Sequence, residues 1–154
     1  MDPWSGQMAF PGGWKSKLDP TLEAVARREA AEEIGLPLAV HNLIGRLDDI
    51  EGERLRLLEL TVSPFVYFVA RLPALQLNHE VAATVSVPLH WLAQQENLRP
   101  YYFPLDHQHR AFASYTYGPY TVWGLTYRII VKLLALFDIQ LPGGDEEPFL
   151  DPTS

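Results

Sequence analysis

The chain has 154 residues, 47% hydrophobic and 20% charged, enough for one globular domain with a real core and not the balance of a disordered chain. Its net charge of −7 argues against a nucleic-acid partner, which needs a basic face, and sets a repulsion problem for any phosphate ligand that bound cations would solve. The lack of cysteine excludes a disulfide scaffold, thiolate metal sites and a cysteine nucleophile, and it fits a reducing, cytoplasmic setting.

In chain order, residues 4–11 read as a short strand entering a loop at Gly12 and Gly13. Asp19-Pro20 predicts a helix start, with Asp19 as N-cap and proline at the first helical position. The helix is expected over 20–34, and Gly35 stands where a left-handed C-terminal cap belongs. Strands follow at 40–47, 55–62 and 65–72, with 47–53 as a turn between two of them. Residues 81–87 read as a further strand, and Pro88 opens a short helix over 88–95. Aromatic-rich strands are expected at 100–104, 110–117 and 119–122, with a turn at Gly118-Pro119, and a last helix runs over 123–137. The longest apolar run, "IIVKLLALF", is too short to span a bilayer and contains Lys132, and no leader of basic and apolar residues opens the chain, so a soluble protein with no membrane partner is expected. The domain is taken as 1–141, and 142–154 as an acidic disordered tail rich in Pro and Gly. The order predicts an α+β fold with largely antiparallel strands.

The chemistry is concentrated in "GGWKSKLDPTLEAVARREAAEEIGL", which spans Gly12 to Leu36. On a helical wheel with Glu29 at zero, Glu33 lies at about +40° and Glu32 at about −60°. Leu22, Val25 and Ala26 share that arc, so the carboxylates extend the apolar side toward the protein body. Three like charges at this spacing repel one another, and burying them unpaired costs several kcal/mol each. A cation must compensate. Arg28 neutralises part of the charge, while Arg27 points away. A divalent ion does so better, and three carboxylates suit hard Mg²⁺ or Mn²⁺, which bridges to phosphates.

These residues resemble the Nudix box, G-x5-E-x7-R-E-U-x-E-E-x-G-U, where U is a bulky aliphatic residue. "REAAEEIGL", from Arg28 to Leu36, matches its second half, with alanine at the first U position. The first half departs: Gly13 lies fifteen residues before Arg28, one more than usual, and Asp19 is the nearest carboxylate to the absent early glutamate. The longer loop and "GQMAFPGG" are similar to the coenzyme A pyrophosphatase branch, as are "GRLDDIEG", "VSPFVYFV", "EVAATVSVPLHWL" and "YTVWGLTYRII". The resemblance implies an α/β/α sandwich around a mixed, largely antiparallel sheet. Strands carrying arginines usually precede "GQ-x-x-FPGG", so the first strand or strands are expected to be lacking here. Trp14 stands where relatives tend to carry a basic residue, and Lys15 is the candidate to supply that charge.

The resemblance also implies roles. Glu29, Glu32 and Glu33 correspond to metal ligands, with Glu29 and Glu33 the strongest pair. Arg28 would orient a glutamate. Gly12 and Gly13 would bring backbone close to metal or phosphate, with the Gly13 carbonyl a further candidate ligand. Glu80 is a candidate catalytic carboxylate from a later segment, and which glutamate serves as base stays open. The implied activity is metal-dependent hydrolysis of a pyrophosphate bond in a nucleotide, with coenzyme A or a derivative as leading substrate. The alternatives are a dinucleotide such as ADP-ribose or NADH, or a shortened, inactive module of the same fold. A homodimer is a further expectation from the family.

Other residues carry less. His107 and His109 lack a third ligand and read as a hairpin loop. Tyr101, Tyr102, Phe103, Tyr115, Tyr117, Tyr120 and Trp123 have a base-stacking reading, but strand alternation assigns them chiefly to packing. His90 and Trp91 read as structural, and Ser5 and Ser16 lack triad partners.

Overall fold

The structure is a computed structural model. It describes residues 6–51, 61–105 and 108–142, and only the backbone of 103–105 and 108–110. Two compact units divide the chain: residues 10–85 form one, and 1–9 with 86–154 form the other.

In the unit of 10–85, helix α1 spans Leu22–Ile34. Thr21 is its N-cap, with the hydroxyl accepting from the Ala24 N–H at 3.1 Å. Asp19 is therefore not the cap, and the helix starts two residues later than expected. Gly35 ends it in the left-handed conformation, φ 65°, as predicted. A 3₁₀ turn at Val40–Asn42 replaces the start of the expected 40–47 strand, leaving β1 as Leu43–Arg46. β2 is Ile50–Glu51, inside the segment expected as a turn. β3 is Thr61–Val62; the rest of the expected 55–62 strand lies outside the described residues. β4 is only Phe65–Tyr67, and 68–72 leave the strand. β1 pairs antiparallel with β4 across a bulge between Leu43 and Gly45, and β2 pairs antiparallel with β3. Residues 81–87 form no strand, and neither do residues 6–11.

The other unit holds α2 (Leu89–Leu92), β5 (Leu98–Leu105), β6 (Gln108–Tyr117), β7 (Tyr120–Trp123) and α3 (Gly124–Ala135). The last three strands form one antiparallel sheet in the order β5-β6-β7. Pro100 and Pro104 cannot donate to a ladder, which suits β5 to the sheet edge. Gly118 supplies the positive φ, 59°, required at the first position of the two-residue loop joining Tyr117 and Tyr120.

One face of this sheet buries Leu98, Ala113, Tyr115 and Val122 against Tyr127, Ile130 and Leu134 of α3. Those α3 positions recur at helical spacing, so they share one face. The buried phenols are satisfied: Tyr115 donates to the Leu92 carbonyl at 2.5 Å and Tyr127 to the Pro142 carbonyl at 2.6 Å. Burial pushes both phenols above their ordinary pKa. Tyr115 packs against Trp91, and Tyr101 stacks on Trp123, so these aromatics pack as the alternation suggests. Leu141 is buried, and from 143 the expected tail lies outside the described residues.

The architecture is α+β as expected, with helices and antiparallel strands; every strand pairing among the described residues is antiparallel. The described helices include none long and apolar enough to cross a membrane.

Candidate active site

The site is assembled within residues 10–85, on α1 and the segments leading into and out of it. Val25 and Ala30 are the buried residues of the helix. On the wheel they lie at about −40° and +100°, so the buried direction is centred near +30°. Glu29 and Glu33 fall close to that centre, and both are partly buried; the Glu29 side chain is 14% exposed. Glu32 lies about 90° away and is 57% exposed. Two of the three predicted carboxylates thus turn inward, and Glu32 does not. Leu22 is also exposed, because it sits in the first turn, ahead of the packed part of the helix.

Arg28 organises this group. Its Nε and Nη2 donate to the two carboxylate oxygens of Asp19 at 3.1 and 3.2 Å. Nη1 reaches Glu29 Oε1 at 2.8 Å and Glu32 Oε2 at 3.0 Å, and Nη2 also donates to the Trp14 carbonyl at 3.3 Å. One guanidinium therefore ties the entry loop to the helix and aims two glutamates. Asp19 is buried and takes a further hydrogen bond from the Ser16 N–H at 2.8 Å. The Arg28 hydrogen bonds, then those from Ser16, hold its carboxyl well below the usual range. Its role is to anchor Arg28. The sequence offered the signal, an isolated carboxylate nine residues before the arginine, but it was equally consistent with a cap.

Gly12 and Gly13 sit directly on the inward pair. The Gly12 backbone lies close enough to the Glu33 carboxylate to favour its charged form. A Cβ on Gly13 would overlap Glu29 Oε1 and stand 2.6 Å from its Cδ. Gly13 is needed for this close approach, and what it approaches is the Glu29 carboxylate, whereas a Cβ on Gly12 would meet only the Phe10 carbonyl at 3.9 Å. Lys15 is exposed on the same loop.

Glu80 arrives from the far end of the helix. The Gln76 and Asn78 N–H groups donate to the Ile34 and Glu33 carbonyls at 3.0 and 2.9 Å, satisfying acceptors that a helix end leaves free. Asn78 Oδ1 then accepts the Glu80 N–H at 2.9 Å. Glu80 is 66% exposed, and His79 approaches it only to 3.9 Å. Burial pushes the Glu33 carboxyl above the usual glutamate range, the Gly12 backbone offsets part of this, and the charges of Glu29, Glu80 and Glu32 push it further.

Among the described residues, no three acidic or imidazole groups stand together as a preformed metal cage. The donor set nevertheless fits a hard cation. All the donors are oxygens, the missing side chain at Gly13 leaves room for the Glu29 carboxylate, and the single charge of Arg28 is shared among Asp19, Glu29 and Glu32. Glu33 is left facing like charges with no cationic partner among the described ion pairs.

The family profile of the NUDIX domain matches residues 1–108, and the chain belongs to that family. Among similar proteins, the "Uncharacterized Nudix hydrolase NudL" of Enterobacter sp. (strain 638) is 37% identical over 137 residues, covering 83% of this chain and 65% of that protein. The proteins of the same name from Salmonella paratyphi B (strain ATCC BAA-1250 / SPB7) and Salmonella newport (strain SL254) are 36% identical over 135 residues, covering 84% of this chain and 66% of theirs. The chain thus spans a little under two thirds of the length of these relatives.

Proposed function

We propose that the protein hydrolyses a pyrophosphate bond in a nucleoside diphosphate derivative, with coenzyme A or one of its derivatives as the leading substrate, in the cytoplasm and on the single domain 1–141. The observation that carries the reading is the convergence of Glu29, Glu33 and the Gly12-Gly13 loop, beside an arginine clamp that aims Glu29 and Glu32. Family membership and the named relatives support hydrolysis, and the sequence resemblance supports the coenzyme A preference.

Glu29 and Glu33 would hold Mg²⁺ or Mn²⁺, with Glu32 and the Gly13 carbonyl as further ligands. Such an ion supplies charge neutralisation on the phosphates and a lower pKa for the attacking water. Arg28 fixes the carboxylates before substrate arrives, which lowers the reorganisation needed at the moment of reaction. Lys15 is assigned to phosphate binding on the same loop. The water proton goes to a carboxylate that Arg28 does not engage, and Glu33 and Glu80 meet that condition. Glu80→Gln lowers kcat without weakening metal binding if Glu80 is the acceptor, whereas Glu33→Gln lowers both.

Incubation with coenzyme A, ADP-ribose and NADH plus Mg²⁺ or Mn²⁺, with the products resolved, tests the reading. Cleavage of coenzyme A between its phosphates, abolished by Glu33→Gln, is expected. Cleavage of ADP-ribose alone overturns only the substrate. All three compounds surviving overturns the activity and leaves a binding module of the same fold.

A further inference from the structure

The entry loop carries three large apolar side chains in solvent: Phe10 is 52% exposed, Trp14 66% and Leu18 93%. Trp14 differs from the other two in being fixed at the site. Its carbonyl accepts from Arg28 Nη2 at 3.3 Å. Its Cα is one residue, about 3.8 Å, from that of Gly13, which packs on Glu29. A pyrophosphate held at the glutamates therefore brings the rest of its nucleotide within a side chain's length of the Trp14 backbone. The loop leaves this indole mostly in water, one residue from the glycine that packs on Glu29, where burial of the ring explains little of its presence.

We propose that the Trp14 indole is a stacking surface for the nucleobase of the substrate, and so a substrate-binding residue that selects nucleotides over simple phosphate esters. This rests on the pyrophosphohydrolase reading, though binding and turnover test it separately. A π-face accepts any planar base, and such stacking accounts for a substantial part of nucleotide affinity where an aromatic ring is free. Exposed Lys15 and Lys17 follow Trp14 on the same loop and supply positive charge suited to phosphates. A lipid surface is the other natural occupant of exposed Trp, Phe and Leu. The chain's net charge of −7 and the carboxylates beside the loop oppose an anionic bilayer.

The test uses AMP, which has no pyrophosphate bond to cleave, and ribose 5-phosphate, which has no base, both with Mg²⁺. Calorimetry on the full chain should show AMP binding about tenfold weaker in Trp14→Ala and within about twofold of wild type in Trp14→Phe. Ribose 5-phosphate should bind all three alike. AMP should quench wild-type tryptophan emission more than that of Trp14→Phe. In turnover, Trp14→Ala should raise KM about tenfold with kcat unchanged. Equal AMP affinity in wild type and Trp14→Ala overturns the proposal, as does a wild type that binds no AMP. So does loss of sedimentation with phosphatidylcholine–phosphatidylserine vesicles in Trp14→Ala while AMP affinity holds. Base-dependent AMP binding with no turnover of any pyrophosphate would instead overturn only the hydrolase reading.

Discussion

Asp19 shows how one side chain sets the chemistry of others. It touches neither Glu29 nor Glu32, yet it holds the guanidinium that aims both. Asp19→Ala frees Arg28 to collapse onto the glutamates. Loss of such an outer partner typically reduces activity or metal affinity 10- to 100-fold, and kcat should fall within that range. Circular dichroism should report an intact helix, because Thr21 remains the cap. Gly13 acts by being small. Gly13→Ala pushes the Glu29 carboxylate aside, and because that carboxylate ends a flexible chain the protein should still fold. A fall in activity of about tenfold or more with little change in Tm is expected, and a large loss of Tm with full activity would contradict the assignment.

The elements were legible to different degrees. The box from Arg28 to Leu36 could be read to the residue, because helix, cap and carboxylate spacing are all local. The β5-β6-β7 sheet was also legible, because hairpins keep paired strands adjacent in sequence. The 81–87 strand was not. "VAATVSV" has strand composition, but a strand exists only where a neighbour pairs with it, and that is set outside the segment. Nor could the sequence say that Gln76 and Asn78 would cap α1, since that depends on a tertiary approach across forty residues. Gly35 makes the approach possible. A Cβ there would stand 2.9 Å from Gln76 Cβ and 3.0 Å from its backbone N, on top of a φ of 65°. Gly35→Ala should cost about 1–2 kcal/mol from backbone conformation alone, visible in denaturant unfolding, and should displace Glu80 as well.

The same helix is tied to β4 by the Tyr67 hydroxyl, which donates to Glu23 Oε1 at 2.6 Å while Arg27 Nε donates to the same oxygen at 2.8 Å. The Tyr67 bond, then Arg27, lower the folded pKa of Glu23, against the opposing effect of burial. A depressed carboxyl contributes stability that is present above its unfolded pKa and lost as pH falls through the folded value. Glu23→Gln should therefore be less stable than wild type near neutrality, and the gap should narrow on acidification below the ordinary glutamate range. Urea melts at a series of pH values test this; a gap that widens toward acid contradicts the assignment.

At the scale of the whole molecule, stability and function pull against each other at Glu33. Without a cation, its charge is disfavoured by burial and by Glu29, Glu80 and Glu32. Removing that charge should make the metal-free protein more stable, so in EDTA near neutrality Glu33→Gln should melt above wild type. Adding Mg²⁺ should reverse the order. A ligand that binds only the folded state at a hundred times its Kd stabilises by about 2.7 kcal/mol, and wild type should gain on that scale while the variant gains little. Hydrogen exchange should place the wild-type gain in residues 22–36, where the carboxylates are, and leave α3 unchanged. An Mg²⁺ titration that moves neither Tm nor this exchange, or a Glu33→Gln that is less stable than wild type in EDTA, would remove the cation from this account. The crossing of the two melting curves is the informative signature: a residue kept for packing would be worse when replaced under both conditions, whereas a ligand is costly until its ion is present.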